Sequence, residues 1–204
     1  FNKGILPVAV ATAMFGAGAA SAFSITTDAT IDNQTGGNST TNYLVHDNVT
    51  LSTNSSMSVY YGTLDGVQTN SNTAGAGMVV VGGNLTVHGN VGSSVGLGNF
   101  TISEWNSLTL ASNVSTFNSD NMTLSDNTVL NFGNVTSGYN RGSSETLTFA
   151  SNITMGSNST INVGGGTTLN GNIYGTSDGA GTLNVLGNFT SGGSFGAAQV
   201  SGVD

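Results

Sequence analysis

Asp120 and Asp126 are the only close acidic pair in the strand-patterned part of this chain, and paired carboxylates are what a glycosidase sets on either side of a sugar. Their spacing puts one at a corner before a short strand and the other just after it, so two turn aspartates are the expected reading. His46 and His88 are the only imidazoles, and a hydrolase triad would need one of them to face both a serine and an aspartate. Serine is so frequent here that proximity alone signals little, and both histidines fall at turn or outward positions. We expect them to be solvated, and no catalytic residue is assigned.

Metal and cofactor chemistry find little to use. The chain has no cysteine, which removes disulfides and thiolate zinc sites. The glycine-rich stretches are not followed by Gly-Lys-Ser/Thr, and Asp178-Gly179 is a lone turn rather than a calcium-binding repeat. We expect no cofactor and no metal. Two basic residues stand against ten acidic ones, for a formal net charge of -8. Such a balance offers no electrostatic footprint for phosphate backbones, so nucleic acid is not an expected partner.

Two residue classes remain for recognition. Trp105, Tyr60, Tyr61, Tyr139 and Tyr174 could stack on sugars wherever the fold exposes them. Asn84, Asn99, Asn121 and Asn152 each open an Asn-x-Thr sequon and are candidates for N-glycosylation. Those sequons are also part of a repeated phrase, which accounts for many of them without any glycan.

The phrase is Asn-apolar-Thr-apolar, at Asn48-Val49-Thr50-Leu51, Asn84-Leu85-Thr86-Val87, Asn99-Phe100-Thr101-Ile102, Asn121-Met122-Thr123-Leu124 and Asn152-Ile153-Thr154-Met155, with a fainter copy at Asn188. Asn tolerates the left-handed backbone of a turn, and apolar-Thr-apolar alternates at the period of a strand with one buried face. Each phrase therefore reads as a corner followed by a short strand. From Met78 onward, strand starts recur about every eight residues, so three of them make a coil of roughly 24, within the range that signals a solenoid.

The fold class expected is all-β, a right-handed parallel β-helix (β-solenoid) with about three short strands per coil. In Leu108-Thr109-Leu110, Ile161-Asn162-Val163 and Leu183-Asn184-Val185 the flanking residues face a shared core, and the middle ones form Thr or Asn ladders outside. Glycines at Gly82-Gly83, Gly164 to Gly166, Gly187 and Gly192-Gly193 are expected to supply positive φ between strands. Gly62–Gly77 and Ser137–Ser144 read as loop excursions. With charged residues at 6% and a single proline, Pro7, the chain has the composition of an ordered, amide-surfaced ladder.

The predicted organisation has three parts. Residues 1–22 read as a secretory signal peptide: Lys3, the apolar run Ile5 to Ala20, and the small-x-small site Ala20-Ser21-Ala22. A type IV pilin-like helix competes, but Ile5 stands where that family carries a glutamate. Residues 23–78 form an N-terminal cap and first irregular coils, and 79–204 the regular solenoid, which reads as a piece of something longer.

Gly181-Thr182-Leu183-Asn184-Val185-Leu186-Gly187-Asn188-Phe189-Thr190 resembles the passenger domains of bacterial autotransporters and related β-helical adhesins. Asn84 to Val91 is similar. The resemblance covers the body from about Val79 and implies a secreted or cell-surface, non-catalytic structural or adhesive stalk. Its partner would be a host or neighbouring-cell surface glycan or protein, with self-association through the solenoid ends. Two alternatives stand beside it: a β-helical polysaccharide lyase or glycosidase, and an extracellular filament or pilin-like subunit. A lyase would bring a polyanionic substrate to a surface of its own sign, since Arg141 is the only basic residue after Lys3.

Overall fold

The computed structural model describes residues 22–32, 41–55, 58–68, 75–132 and 146–196, and among them the regular elements are all strands. The predicted leader, Tyr139 and Ser137–Ser144 lie outside the described residues. The chain winds through about six complete turns of a parallel β-solenoid, preceded by a shorter two-stranded one. A first turn holds β1 (Phe23–Ile25) and β2 (Ala29–Ile31). Then come β3 (Tyr43–His46), β4 (Thr50–Thr53) and β5 (Val59–Tyr60), and after them β6 (Leu64–Val67), β7 (Met78–Val81) and β8 (Leu85–Val87). The fourth turn uses Val91 as a single bridge, followed by β9 (Leu97–Ile102) and β10 (Ser107–Leu110). The next two turns are β11 (Thr116–Leu124) with β12 (Val129–Phe132), and β13 (Leu147–Met155) with β14 (Thr160–Val163). The last are β15 (Thr167–Asn170), β16 (Ile173–Gly175) and β17 (Thr182–Val185), closed by β18 (Phe189–Ser191).

Strands in equivalent places pair in parallel from turn to turn, and three faces result. The first carries β1, β3, β6, the front half of β11 and of β13, β15 and β18. The second carries β2, β4, β7, β9, the rear halves of β11 and β13, and β16. The third runs β5, β8, β10, β12, β14, β17. Three strands per turn is what the spacing predicts. Turn length varies more: register partners are 20 residues apart from Phe23 to Tyr43 and 32 apart from Phe117 to Phe149.

Alternation decides which side chains go in. In β13 the residues Leu147, Phe149, Ser151, Ile153 and Met155 are buried, and those between them are exposed or half-buried. Like residues then stack at about one strand spacing. Phe117 lies flat on Phe149 with centroids 4.4 Å apart, and Phe100 and Phe132 meet this pair edge-on or tilted. Outside, the expected polar ladder forms on the third face. The Asn131 amide donates to Thr109 Oγ1 at 3.1 Å, Asn162 to Asn131 Oδ1 at 2.8 Å, and Asn184 to Asn162 Oδ1 at 2.9 Å.

Three local expectations need correction. Gly62–Gly77 is not an excursion throughout: Leu64-Asp65-Gly66-Val67 is β6, paired with β3, and its first three residues are buried. Gly66 has no room for a side chain there, because a Cβ would stand 2.6 Å from the Gly96 carbonyl oxygen. Asn48 takes the left-handed corner with φ 61°, but Asn99, Asn121 and Asn152 lie within β9, β11 and β13 as register partners. The left-handed asparagines of the later turns are Asn127 and Asn158, which fall outside the phrase. Of the glycines expected to need positive φ, only Gly166 has it; Gly193 is required because a Cβ would collide with the Gly171 carbonyl one turn away.

Candidate functional site

The two most exposed aromatic side chains among the described residues, Trp105 and Tyr61, stand at corners between faces. Between the second and third faces, the corner spans five residues in three successive turns: 103–107, 125–129 and 156–160. Each is a tight turn closed on its first residue. Asn106 N donates to Ser103 O, Thr128 Oγ1 to Ser125 O, and Ser159 N to Gly156 O. Trp105 stands in the middle of the first of these corners, 74% exposed.

The corner between the third and first faces stacks Tyr61, His88 and Asn113 from consecutive turns. The Tyr61 ring, 54% exposed, lies on the His88 ring at 4.5 Å and 19°. Asn113 secures that imidazole, its Nδ2 donating to His88 O at 2.7 Å and its Oδ1 lying 3.2 Å from His88 Nδ1. Sequence reading placed His88 at an outward or corner position but could not see that Tyr61 covers it. Tyr61 and His88 align because each directly follows a third-face strand, whereas Asn113 comes three residues after β10 and reaches back to His88.

The remaining aromatics divide. Tyr60 presents no surface to a ligand: it is 1% exposed, stacks on Tyr43, and gives its hydroxyl to the Thr41 and Thr63 carbonyls. Burial pushes its pKa well above the ordinary phenol value, with Tyr43 and Asp65 adding to the rise. Tyr174 is half-buried on the second face, next in register to Thr154.

Asp120 and Asp126 do not meet. They stand six residues apart, Asp120 in the bulge of β11 and Asp126 in the corner past its end at Leu124; the extended stretch from Asp120 to Leu124 alone spans about 13 Å at about 3.3 Å per residue, wider than paired-carboxylate geometry. Asp126 Oδ1 accepts the Ser157 amide at 2.8 Å, a turn aspartate as expected. Asp120 sits in a β-bulge, where Ser119 and Asp120 face the single residue Ser151 across the ladder. With Asn118, Ser151, Asn152, Asn170 and Gly171 it lines a polar hollow of about 210 Å³, and partial burial raises its pKa above the usual carboxylate value.

Two segments also carry Gly-x-Ser-x-Gly spacing, which sequence reading missed: Gly92-Ser93-Ser94-Val95-Gly96 and Gly192-Gly193-Ser194-Phe195-Gly196. Neither is a nucleophile elbow, because each is a bend rather than a strand-to-helix turn. In the first, Ser93 Oγ and the Ser94 amide both hold the buried Asp65 carboxylate, at 3.2 and 3.0 Å. Among the described residues no cluster of three or more His, Asp or Glu could hold a metal.

The four sequon asparagines are all exposed. Asn84 accepts the Ser107 amide and hydroxyl through Oδ1, at 2.9 and 3.0 Å. Asn152 accepts from Asn172 through Oδ1, and Asn99, Asn121 and Asn152 form one column. The described residues thus form a parallel β-solenoid with Trp105 and Tyr61 exposed at its corners. No family model matches the chain, and no curated protein or solved structure matches it significantly.

Proposed function

We propose that this is a secreted or surface-displayed, non-catalytic β-solenoid stalk that adheres to a glycan or protein on a host or neighbouring cell. The observation that carries the reading is dispersal: His46 closes β3, Asp120 sits in the bulge of β11, and Asp126 and His88 stand at two different corners, while Trp105 and Tyr61 face outward as large contact surfaces. An enzyme of the β-helical type would need carboxylates converging on one groove. A rigid stack of about six turns, at about 4.8 Å each, instead spaces its contacts over roughly 30 Å.

Beads coated with the full chain test this. They should be retained on cell-surface material above beads carrying a charge-matched control, and the soluble chain should leave acidic and neutral glycans uncleaved. New reducing ends or unsaturated uronates, or retention no better than the control, would sink the reading. End-to-end assembly is a second reading, favoured by Val185, Leu186 and Phe195, which are exposed on the last described turn. Sedimentation velocity over a hundredfold concentration range separates it from the first.

A further inference from the structure

We propose that Trp105, together with the step in the corner beneath it, forms a ledge that binds a neutral, gluco-configured pyranose. This rests on the adhesive reading and gives it a site.

The first observation is backbone conformation. Trp105 has φ 63°, in the left-handed region that a bulky residue rarely adopts. Register places it level with Asn127 and Asn158: each is the third residue after Ile102, Leu124 and Met155, which pair in succession. Those two have φ 58° and 55°, and Asn is the residue this conformation favours after Gly. Three turns therefore share one corner geometry, and two of them fill it with the residue that suits it. Trp fills the other at a conformational cost, and being largely exposed it gains little packing in return.

The second observation is the step. Between Val81 and Leu85 the preceding turn has only residues 82–84, whereas residues 103–107 lie between their partners Ile102 and Leu108. The corner widens by two residues at Trp105, so no residue of the preceding turn stands level with it. Gly82 and Gly83 bring no side chain to the step, and Gly83 is pressed so close that a Cβ would lie 2.6 Å from Ser55 Cα. Asn84 is fixed at the foot by the two bonds its carbonyl accepts from Ser107, which leave its amide nitrogen outside them. Glu104, exposed beside Trp105, completes the set.

These groups match one ligand chemistry. An indole face takes the C–H face of a pyranose, and ring hydroxyls that are all equatorial leave that face clear. The Asn84 amide donates to a hydroxyl and the Glu104 carboxylate accepts from one. Glu104, with Asp126 on the next turn, repels uronates.

Trp105 is the sole tryptophan, so its fluorescence reports this ledge alone. Titrating the full chain with cellotetraose and with N-acetyl-chitotetraose should give a saturable blue shift, and polygalacturonate should give none. Trp105→Asn installs the residue of the neighbouring turns. It should unfold at a higher temperature than the wild type while its affinity by calorimetry falls at least tenfold. Absence of a saturable shift with both neutral probes, or unchanged affinity in Trp105→Asn, overturns the ledge. Bead retention separates the two claims: retention without a shift sinks the ledge and leaves adhesion standing, and a shift without retention does the reverse.

Discussion

Val163 and Val185 occupy the same place in successive turns, each closing a Thr-apolar-Asn-Val strand, yet Val163 is 1% exposed and Val185 is 51% exposed. Intrinsic preference is the same in both. What differs is cover: β14 has a strand on each side, and among the described residues β17 is paired only with β14. In a solenoid each turn is stabilised by its neighbours, so the value of a residue depends on its place in the stack more than on its type.

The largest test of that comparison is in the aromatic column. Phe149, sandwiched between Phe117 and Phe132, should cost about 3–5 kcal/mol on truncation to Ala, whereas Leu183→Ala should cost about 1 kcal/mol. Urea melts of both variants decide it, and equal losses would break the comparison. Next in size is the amide ladder. Asn162 both donates and accepts, so Asn162→Ala should lose about 1–2 kcal/mol, and Asn184→Ala, which drops one bond, about half that.

Smallest is the Asp120 carboxyl, which sharpens the comparison by testing a corner of the covered region. Its folded pKa lies above the ordinary value, so the folded state binds the proton more tightly than the unfolded chain. Stability from this group is present below the usual carboxylate range and declines as pH rises through the folded value. Asp120→Asn should therefore melt above the wild type at neutral pH, with the gap closing in acid. A gap that widens in acid would mean the carboxylate is held by a partner instead.

Much of the fold could be read directly from the residues. Thr109, Asn162 and Asn184 were expected to form an outer ladder, and they share one, because period-two alternation fixes the face of each side chain. The corners were harder to read. Asn127 and Asn158 look like any polar residues until the register shows them stacked in line with Trp105 on the two turns that follow it, and register depends on corner lengths that composition does not encode. Tyr60 and Tyr61 make the same point: adjacent and identical in type, one is buried and the other exposed because Tyr60 is the last residue of β5 and Tyr61 the first of the corner after it. β6 was hidden because Asp65 and Gly66 look like a loop, and only the serines of a later turn reveal why an aspartate can lie inside.

The amide ladder of the third face also has a direction. Asn131, Asn162 and Asn184 each send their nitrogen to the turn before, so every new turn brings its own donor to an acceptor already in place and offers a fresh acceptor to whatever follows. Such a row is vectorial, like a zip that runs one way. The row starts at Thr109 of β10, with β8 and β5 stacked beyond it, and among the described residues it ends on the Asn184 carbonyl, so its two ends are chemically distinct even though its turns repeat.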